Sequence, residues 1–133
     1  MHTQQMLATH PHERGGAEDI LVRCIEECYA CAQACTACAD ACTGEAVVKD
    51  LVRCIRLCLD CADVCATTGA LASRHTGSNA ALVMQMLAVC ETACGLCATE
   101  CERHAGNHAH CRICAEACRA CEAACRNAAG SVH

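Results

Sequence analysis

The nineteen cysteines of this 133-residue chain fall into four clusters, and inside every cluster the gaps alternate strictly between three and four residues. On an α-helix, side chains three and four positions apart lie on the same face. Each cluster therefore predicts one helix that carries a continuous stripe of thiols. The clusters are Cys24, Cys28, Cys31, Cys35, Cys38 and Cys42; Cys54, Cys58, Cys61 and Cys65; Cys90, Cys94, Cys97 and Cys101; and Cys111, Cys114, Cys118, Cys121 and Cys125.

Short breaks rich in glycine and polar residues separate the clusters. Gly44, in the first break, favours the left-handed conformation that often follows a helix. In the second break, Gly77 precedes Ser78 and Asn79, and either of these two residues is a favoured helix N-cap. A Gly-Asn pair plays the same part in the third break. We expect helices at about 17–43, 46–74, 79–105 and 108–128.

The short connections predict the topology of these helices. Helices joined by a few residues pack antiparallel, so we expect an all-α, up-down-up-down four-helix bundle over residues 17–133. The cysteine gaps average about 3.5 residues, the period that keeps a seam facing its neighbours, so the cysteines occupy the core. Residues 1–16 form a mobile N-terminal arm outside this metal-binding bundle, and its histidines, His2, His10 and His12, are expected on the surface.

The composition argues against a disulfide-stapled secreted domain. Cysteine makes up about 14% of the chain, above the ~8–10% that signals an unusual scaffold, but an odd number of thiols cannot pair completely within one chain. Residues 1–16 lack the apolar centre of a signal peptide, which favours a cytoplasmic protein with reduced thiols. The net charge of -5 offers no basic surface for nucleic acid. No apolar run approaches the ~18 residues of a membrane span.

The two ends of the predicted bundle differ when each stripe is extended past its last cysteine. At the histidine end, His104 follows Cys101 in the third stripe, and the next turn brings His108 and His110 close. This end is the expected entrance to the core, although a solvated turn is an equal alternative for His108 and His110. At the other end, which we call the apolar end, the stripes continue into Leu21 and Ala17, into Thr68, Ala72 and His75, and into Met86 and Val83.

A buried column of thiols has the chemistry of a soft-metal site. Thiolate favours Cu(I), zinc and iron-sulfur clusters over hard cations, and Cu(I) accepts two or three thiolates. If each sulfur bridges two ions, the ratio of copper to cysteine approaches roughly one. One positive charge for each thiolate also keeps a dry core near neutrality. The sequence therefore favours many Cu(I) ions in each chain, and we find no arrangement of residues that indicates an enzyme.

Two other metal functions compete with copper. A zinc or cadmium thiolate buffer would use tetrahedral sites and hold about one ion for every four cysteines. An iron-sulfur electron carrier is less favoured, because ferredoxin ligands follow the run C-x2-C-x2-C-x3-C-P, which this chain lacks. Metal stoichiometry separates copper from zinc, and acid-labile sulfide would identify a cluster.

Four segments of the chain resemble the four-helix bundle copper storage proteins, in particular their cytosolic branch. The resemblance implies a cytosolic homotetramer that stores many Cu(I) ions and takes up metal at one end. A copper chaperone or a low-molecular-weight thiol is the partner considered for exchange, and the sequence does not identify the copper donor. The resemblance also implies that all nineteen cysteines are ligands, with His104 as an accessory ligand. The segments are CIEECYACAQACTACADAC, CIRLCLDCADVC, CETACGLCATEC and CRICAEACRACEAAC.

Two features go beyond the thiol stripes. Exported members of the family are Met-rich at the entrance, whereas Met84 and Met86 lie toward the apolar end here, so His104, His108 and His110 would have to replace the methionines.

The second predicted helix also carries another apolar row beside its thiols, and this row favours a subunit interface. The row consists of Val48, Val52, Ile55, Leu59, Ala62 and Ala66.

Overall fold

The computed structural model describes residues 1–12, 18–77 and 79–131. The described residues form five α-helices: α1 (Thr3–Ala8), α2 (Glu18–Thr43), α3 (Val52–Ala72), α4 (Ala80–His104) and α5 (Ala109–Ala129). A 3-10 helix at Val48–Leu51 leads into α3. The four predicted helices are confirmed, and α3 begins several residues later than expected because the 3-10 helix occupies its predicted first turn.

The four long helices form the predicted antiparallel bundle. Along the described chain, α2 packs against α3 and α5, and α4 packs against the same two helices, so each long helix has two neighbours. Diagonal helices meet through their cysteines. The Sγ atoms of Cys35 on α2 and Cys97 on α4 are 4.0 Å apart, and those of Cys58 on α3 and Cys114 on α5 are 3.8 Å apart.

The core of the bundle is made largely of cysteine. All nineteen cysteines have at most 1% of their surface exposed. Small residues such as Ala39, Ala62, Ala98 and Ala115 are buried between the thiols, which lets the helices approach closely enough for sulfurs to fill the centre. A side chain as small as cysteine fills a helical core only when the helices lie this close.

The apolar end is closed by larger side chains, with one correction to the predicted set. Leu21, Ala72 and Val83 are buried as expected. The prediction of Met86 as the core residue before Cys90 is wrong: Met86 is half-buried and Leu87 is fully buried. Cys94 follows Cys90 by four residues. The alternation therefore places the preceding core residue three positions before Cys90, at Leu87, and not four positions before it, at Met86. Ala17 lies outside the described residues.

A short helix that the sequence analysis did not predict covers this end. Leu7 of α1 is 4% exposed and belongs to a small apolar cluster. The cluster lies beside the thiol core, and the ring of Tyr29 packs against it. The N-terminal segment is therefore anchored to the bundle by one leucine. The other members of the cluster are Leu21, Val22, Ile25 and Ala72.

The helix ends differ from expectation in their glycines and caps. Gly44 is not left-handed; of the glycines that the structure describes, Gly77 alone has a positive φ, 76°. Asn79 occupies the N-cap position of α4, but its amide donates to the Leu71 carbonyl at 3.0 Å instead of capping the helix. Ser78 lies outside the described residues. His75, which is 5% exposed, places Nε2 3.0 Å from the Ala72 carbonyl and so closes the end of α3.

By length and composition, α4 alone among the described helices has the properties of a membrane span. The helix contains no continuous apolar run of that length, because Gln85 and Glu91 interrupt it. The helix lies between α3 and α5 in the bundle, and its four cysteines are buried. Only 28% of its most apolar stretch is buried, because α4 also exposes Leu82, Val89 and Leu96. Packing in the bundle therefore accounts for the cysteine face of α4 and not for the apolarity of the whole helix.

We predict that Gly69→Ala destabilises the metal-free protein. An added Cβ would lie 3.0 Å from Cε2 and 3.1 Å from Cζ of the Tyr29 ring. Overpacking of this kind costs about 1–3 kcal/mol, which exceeds the gain of about 1 kcal/mol from replacing glycine in a helix. Thermal unfolding of the reduced, metal-free variant measures the net effect.

Gly95→Ala is the matched control for this substitution. At Gly95, an added Cβ meets the Glu122 carboxylate at 2.7 Å, and that carboxylate is the far end of a flexible side chain that can move aside. We expect this variant to be as stable as the parent or more stable. If the two alanine variants unfolded at the same temperature, the close packing of Tyr29 on Gly69 would not limit stability.

Candidate metal centre

The four thiol stripes converge on the axis of the bundle. Their helical spacing places sulfurs of one helix about 4 Å apart, as for Cys31 and Cys35 at 3.8 Å. Sulfurs of different helices come equally close, since Cys65 and Cys94 are 3.6 Å apart. All nineteen cysteines are free thiols. The sulfurs therefore form one continuous column instead of a set of paired disulfides.

Within this column, groups of four sulfurs lie close enough to share an ion. In each group all four Sγ atoms are within 4.8 Å of one another. Neighbouring groups share sulfurs, since Cys121 belongs to the first two groups below and Cys31 to the second and third. From the apolar end, five of these groups are Cys28, Cys90, Cys121 and Cys125; Cys31, Cys65, Cys94 and Cys121; Cys31, Cys35, Cys61 and Cys118; Cys35, Cys97, Cys114 and Cys118; and Cys38, Cys54, Cys58 and Cys101.

The sulfur spacing matches metal coordination with little rearrangement. A metal–sulfur bond of about 2.3 Å separates two ligating sulfurs by about 3.8 Å in a tetrahedral site and by about 4.0 Å in a trigonal one. Many sulfur–sulfur contacts lie close to these values, from 3.6 Å between Cys54 and Cys101 to 4.0 Å between Cys28 and Cys90, and the sulfurs of each group all lie within 4.8 Å of one another. Spacing alone therefore does not distinguish zinc from copper. The sharing of sulfurs between groups favours a metal whose thiolates bridge, as those of Cu(I) do.

At the histidine end, His110 faces the thiols directly. Its Nδ1 lies 3.4 Å from Sγ of Cys38, 3.6 Å from Sγ of Cys111 and 4.0 Å from Sγ of Cys42. Its other ring nitrogen, Nε2, lies 2.8 Å from Oε2 of Glu45. One imidazole thus connects the thiols at the histidine end of α2 and α5 to a carboxylate.

The other two predicted histidines are held by carboxylates at the same end. His108 places Nδ1 2.8 Å from Oε2 of Glu45, and its ring stacks on that of His110 with centroids 5.5 Å apart. Nε2 of His104 lies 2.9 Å from Oε2 of Glu100, a residue with 5% of its surface exposed. The structure gathers all three histidines, and of the three it is His110 whose ring nitrogen lies against the sulfurs.

Sequence analysis missed the two carboxylates that hold these histidines. The position of Glu45 could have been predicted from the sequence, because continuing the α2 stripe from Cys42 by three residues reaches it. Glu100 lies next to a stripe position instead of on it. Its burial becomes understandable only with its partners, Arg103 at 2.9 Å and Arg53 at 3.6 Å.

Burial and neighbouring charge shift the ionisation of groups at this end. Burial raises the pKa of the Cys42 thiol, and a nearby Cys54 thiolate would raise it further. Burial, followed by the proximity of Cys42, raises the pKa of Cys111 to about 12. The pKa of Glu45 is lowered, first by its hydrogen bond from His110. Cys42 and Cys111 therefore favour the neutral thiol form next to an ionised carboxylate.

The histidines of the N-terminal segment lie at the opposite end of the bundle. The rings of His10 and His75 have centroids 5.6 Å apart, and those of His10 and His12 are 5.9 Å apart. His10 and His12 lie close together because the backbone N–H of His12 donates to Nδ1 of His10 at 2.9 Å. These residues are thus separated from the histidine end by the length of the thiol column.

Comparison with protein families identifies the chain. Residues 17–130 match the family model described as Csp, copper storage protein. The chain belongs to the copper storage protein family. The match covers all four thiol helices, so the whole column lies within the family's domain. A comparison with curated protein sequences finds no match.

Solved structures of copper storage proteins share the fold and much of the sequence. A structure of Ccsp from Streptomyces lividans loaded with 10 copper equivalents is 53% identical, covering 96% of this chain and 98% of that one, with a TM-score of 0.93. A cytosolic copper storage protein from the same organism, with five coppers, is 56% identical over 88% of this chain and 98% of that one, with a TM-score of 0.86. Cu(I)-bound BsCsp3 is 40% identical over 80% and 94% respectively, with a TM-score of 0.71.

We predict that the metal-free protein loses stability as the pH rises above about 8.5, where thiols of an unfolded chain ionise. Cys42 and Cys111 have raised pKa values when folded. Their contribution to stability is therefore complete below the unfolded-state pKa and is lost as the pH rises toward their folded-state values. The expected slope is about 1.4 kcal/mol per pH unit for each such thiol. Denaturant unfolding of the reduced protein between pH 7 and 10 measures it.

Two conservative variants serve as controls for this pH dependence. Tyr29 and Lys49 are the chain's single tyrosine and single lysine, so Tyr29→Phe and Lys49→Arg remove the side chains other than cysteine that titrate at alkaline pH. Both variants should retain the loss of stability. A free energy of unfolding that stays constant between pH 7 and 10 would contradict the prediction.

Proposed function

We propose that this protein stores many Cu(I) ions along its column of thiols and that all nineteen cysteines are ligands. The overlapping four-sulfur groups carry the proposal, because a sulfur that belongs to two groups is placed to bridge two ions. The cysteines lie in all four long helices and reach from Cys24 and Cys125 at the apolar end to Cys42 and Cys111 at the histidine end. His104, His108 and His110 complete the proposed ligand set at that end.

Charge balance supports a monovalent cargo. The column is buried and offers no cation of its own, so an isolated thiolate within it is costly. Each Cu(I) ion replaces a thiol proton and leaves the core near neutrality. Because binding releases protons, the affinity for copper falls as the pH falls. The role is storage and not catalysis.

A zinc or cadmium buffer is supported less well by this geometry. Separate tetrahedral sites each require four sulfurs of their own, whereas Cys31, Cys35, Cys118 and Cys121 are each shared between groups. Filling one zinc site would therefore remove ligands from the next. An iron-sulfur carrier would also require space for inorganic sulfide between thiols that are already 3.6–4.0 Å apart.

The cellular setting of the proposal is a cytoplasmic homotetramer. The cytoplasm keeps thiols reduced, and a structural relative is described as cytosolic. Val52 is 61% exposed and Leu59 is 46% exposed, so these two residues of the second apolar row offer a surface for another subunit, whereas Ala62 of the same row is buried in the core. A copper chaperone or a low-molecular-weight thiol is the proposed exchange partner at the histidine end. The mass of the assembly in solution tests the tetramer.

We predict that the reduced protein, titrated with Cu(I) without oxygen against a strong chelator, binds well over ten ions per chain. Bridging sulfurs allow this number, whereas zinc-like sites would saturate at four or five. Metal analysis after desalting gives the count, and a parallel titration with zinc provides the comparison. Saturation with Cu(I) at four or five ions would overturn the proposal.

We predict that replacing His104, His108 and His110 with alanine slows copper loading more than it lowers capacity. These residues line the proposed entrance, while most ligands lie deeper in the column. Stopped-flow absorbance of Cu(I)-thiolate formation measures the rate. The matched control replaces His2, His10 and His12, three histidines outside the proposed entrance. Equal loading rates for the two triple variants would contradict entry at the histidine end.

A further inference from the structure

We propose that Glu45 is a positioning residue that fixes the tautomer of His110 and thereby keeps Nδ1 of that ring available to Cu(I) among the last thiols. The inference rests on the proposed storage function. It assigns to a carboxylate one stripe position beyond Cys42 a role in how strongly the histidine end of the column holds metal.

Hydrogen-bond geometry determines the tautomers. Oε2 of Glu45 lies 2.8 Å from Nε2 of His110 and 2.8 Å from Nδ1 of His108. An ionised carboxylate only accepts hydrogen bonds, so both nitrogens must carry hydrogen. A neutral imidazole carries one N–H. The lone pair of His110 is therefore on Nδ1, and that of His108 is on Nε2.

This tautomer directs the lone pair of His110 at sulfur. Three thiols, those of Cys38, Cys42 and Cys111, lie 3.4–4.0 Å from Nδ1. In the metal-free protein, a thiol S–H can donate to this nitrogen. When copper replaces the thiol proton, the same lone pair points at the ion, and imidazole is a suitable copper ligand.

Carboxylates that hold the remote nitrogen of a histidine are a recurrent part of metal sites. Such a partner fixes the ring orientation and the tautomer, and its removal typically costs about 10- to 100-fold in metal affinity. Glu45 stands where such a partner is needed. Its side chain is 32% exposed and that of His110 is 26% exposed, so the pair lies between solvent and the buried thiols.

The arrangement at Glu45 differs from that at the other carboxylate of this end. Glu100 also accepts from a histidine, His104, but it is shared with Arg53 and Arg103. Arg103 forms an ion pair with Glu100 within α4, and Arg53 forms one between α3 and α4. Glu45 contacts two histidines, and one of them lies against the thiols. Glu45 is therefore the carboxylate whose loss changes a ring that faces sulfur.

The first arm of the test needs no metal. In ¹⁵N-histidine NMR spectra of the reduced, metal-free protein at alkaline pH, where imidazole is neutral, Nδ1 of His110 should show the shift of an unprotonated nitrogen. In Glu45→Ala, His110 should show a mixture of tautomers. Glu45→Gln keeps an acceptor oxygen and should restore much of the parent signal. Glu102→Gln removes a carboxylate that pairs with Arg119 and should leave His110 unchanged.

The second arm measures copper. Competition with a graded set of Cu(I) chelators should show that Glu45→Ala lowers the affinity for the ions held at the histidine end by 10- to 100-fold. The number of ions bound per chain should fall by no more than one. His110→Ala should have an effect of the same size. The double variant should bind these ions with the same affinity as His110→Ala, because Glu45 acts through His110.

The outcomes separate this inference from the storage function. An unchanged His110 tautomer in Glu45→Ala, or fully additive losses in the double variant, would overturn the role of Glu45 even if the parent protein stores many ions. Saturation of the parent at four or five ions would overturn storage, while the tautomer experiment would still report on Glu45.

Discussion

The structure depends on the packing of thiols against thiols at the centre of four helices. In most bundles, Leu and Ile fill the core, and a metal site is a local exception within it. Here the side chains that hold the helices together are also the proposed ligands. Each sulfur contributes little apolar surface, so the metal-free fold relies on close helix approach and on the larger side chains near its ends, such as Leu51 and Leu87. Metal that binds the folded column adds its binding free energy to the free energy of folding.

The two ends of the column differ in how they separate the thiols from solvent. At the apolar end, Leu21, Val83 and Leu87 separate the thiols from water, and α1 adds a further cover through Leu7. At the histidine end, Glu45 and Glu100 hold three imidazoles between the thiols and solvent. Carboxylates there attract cations, whereas an apolar closure repels them. The difference between the two ends is thus a consequence of which residues flank the terminal cysteines of each helix.

Much of this organisation could be predicted from the sequence, because a repeat with alternating gaps of three and four residues is typical of one face of an α-helix. The stripes gave the four helices, the buried thiols and the difference between the ends. The prediction failed where local signals compete with tertiary contacts. Gly44 can adopt a left-handed conformation, but the turn does not require it, and α1 is stabilised by a surface that exists only after the bundle forms. Glu100 is buried through partners on two helices, and no sequence spacing indicates that arrangement.

The overlap between neighbouring four-sulfur groups has a consequence for movement inside the protein. An ion held by Cys31 and Cys35 can exchange one ligand for a sulfur of the next group while it keeps the other. Steps of this kind are about the length of one sulfur–sulfur separation, 3.6–4.0 Å. For the proposed copper cargo, transfer between groups that share sulfurs would therefore need no release of a free ion. Loss of one ion toward the histidine end would then be followed by shifts of the ions behind it.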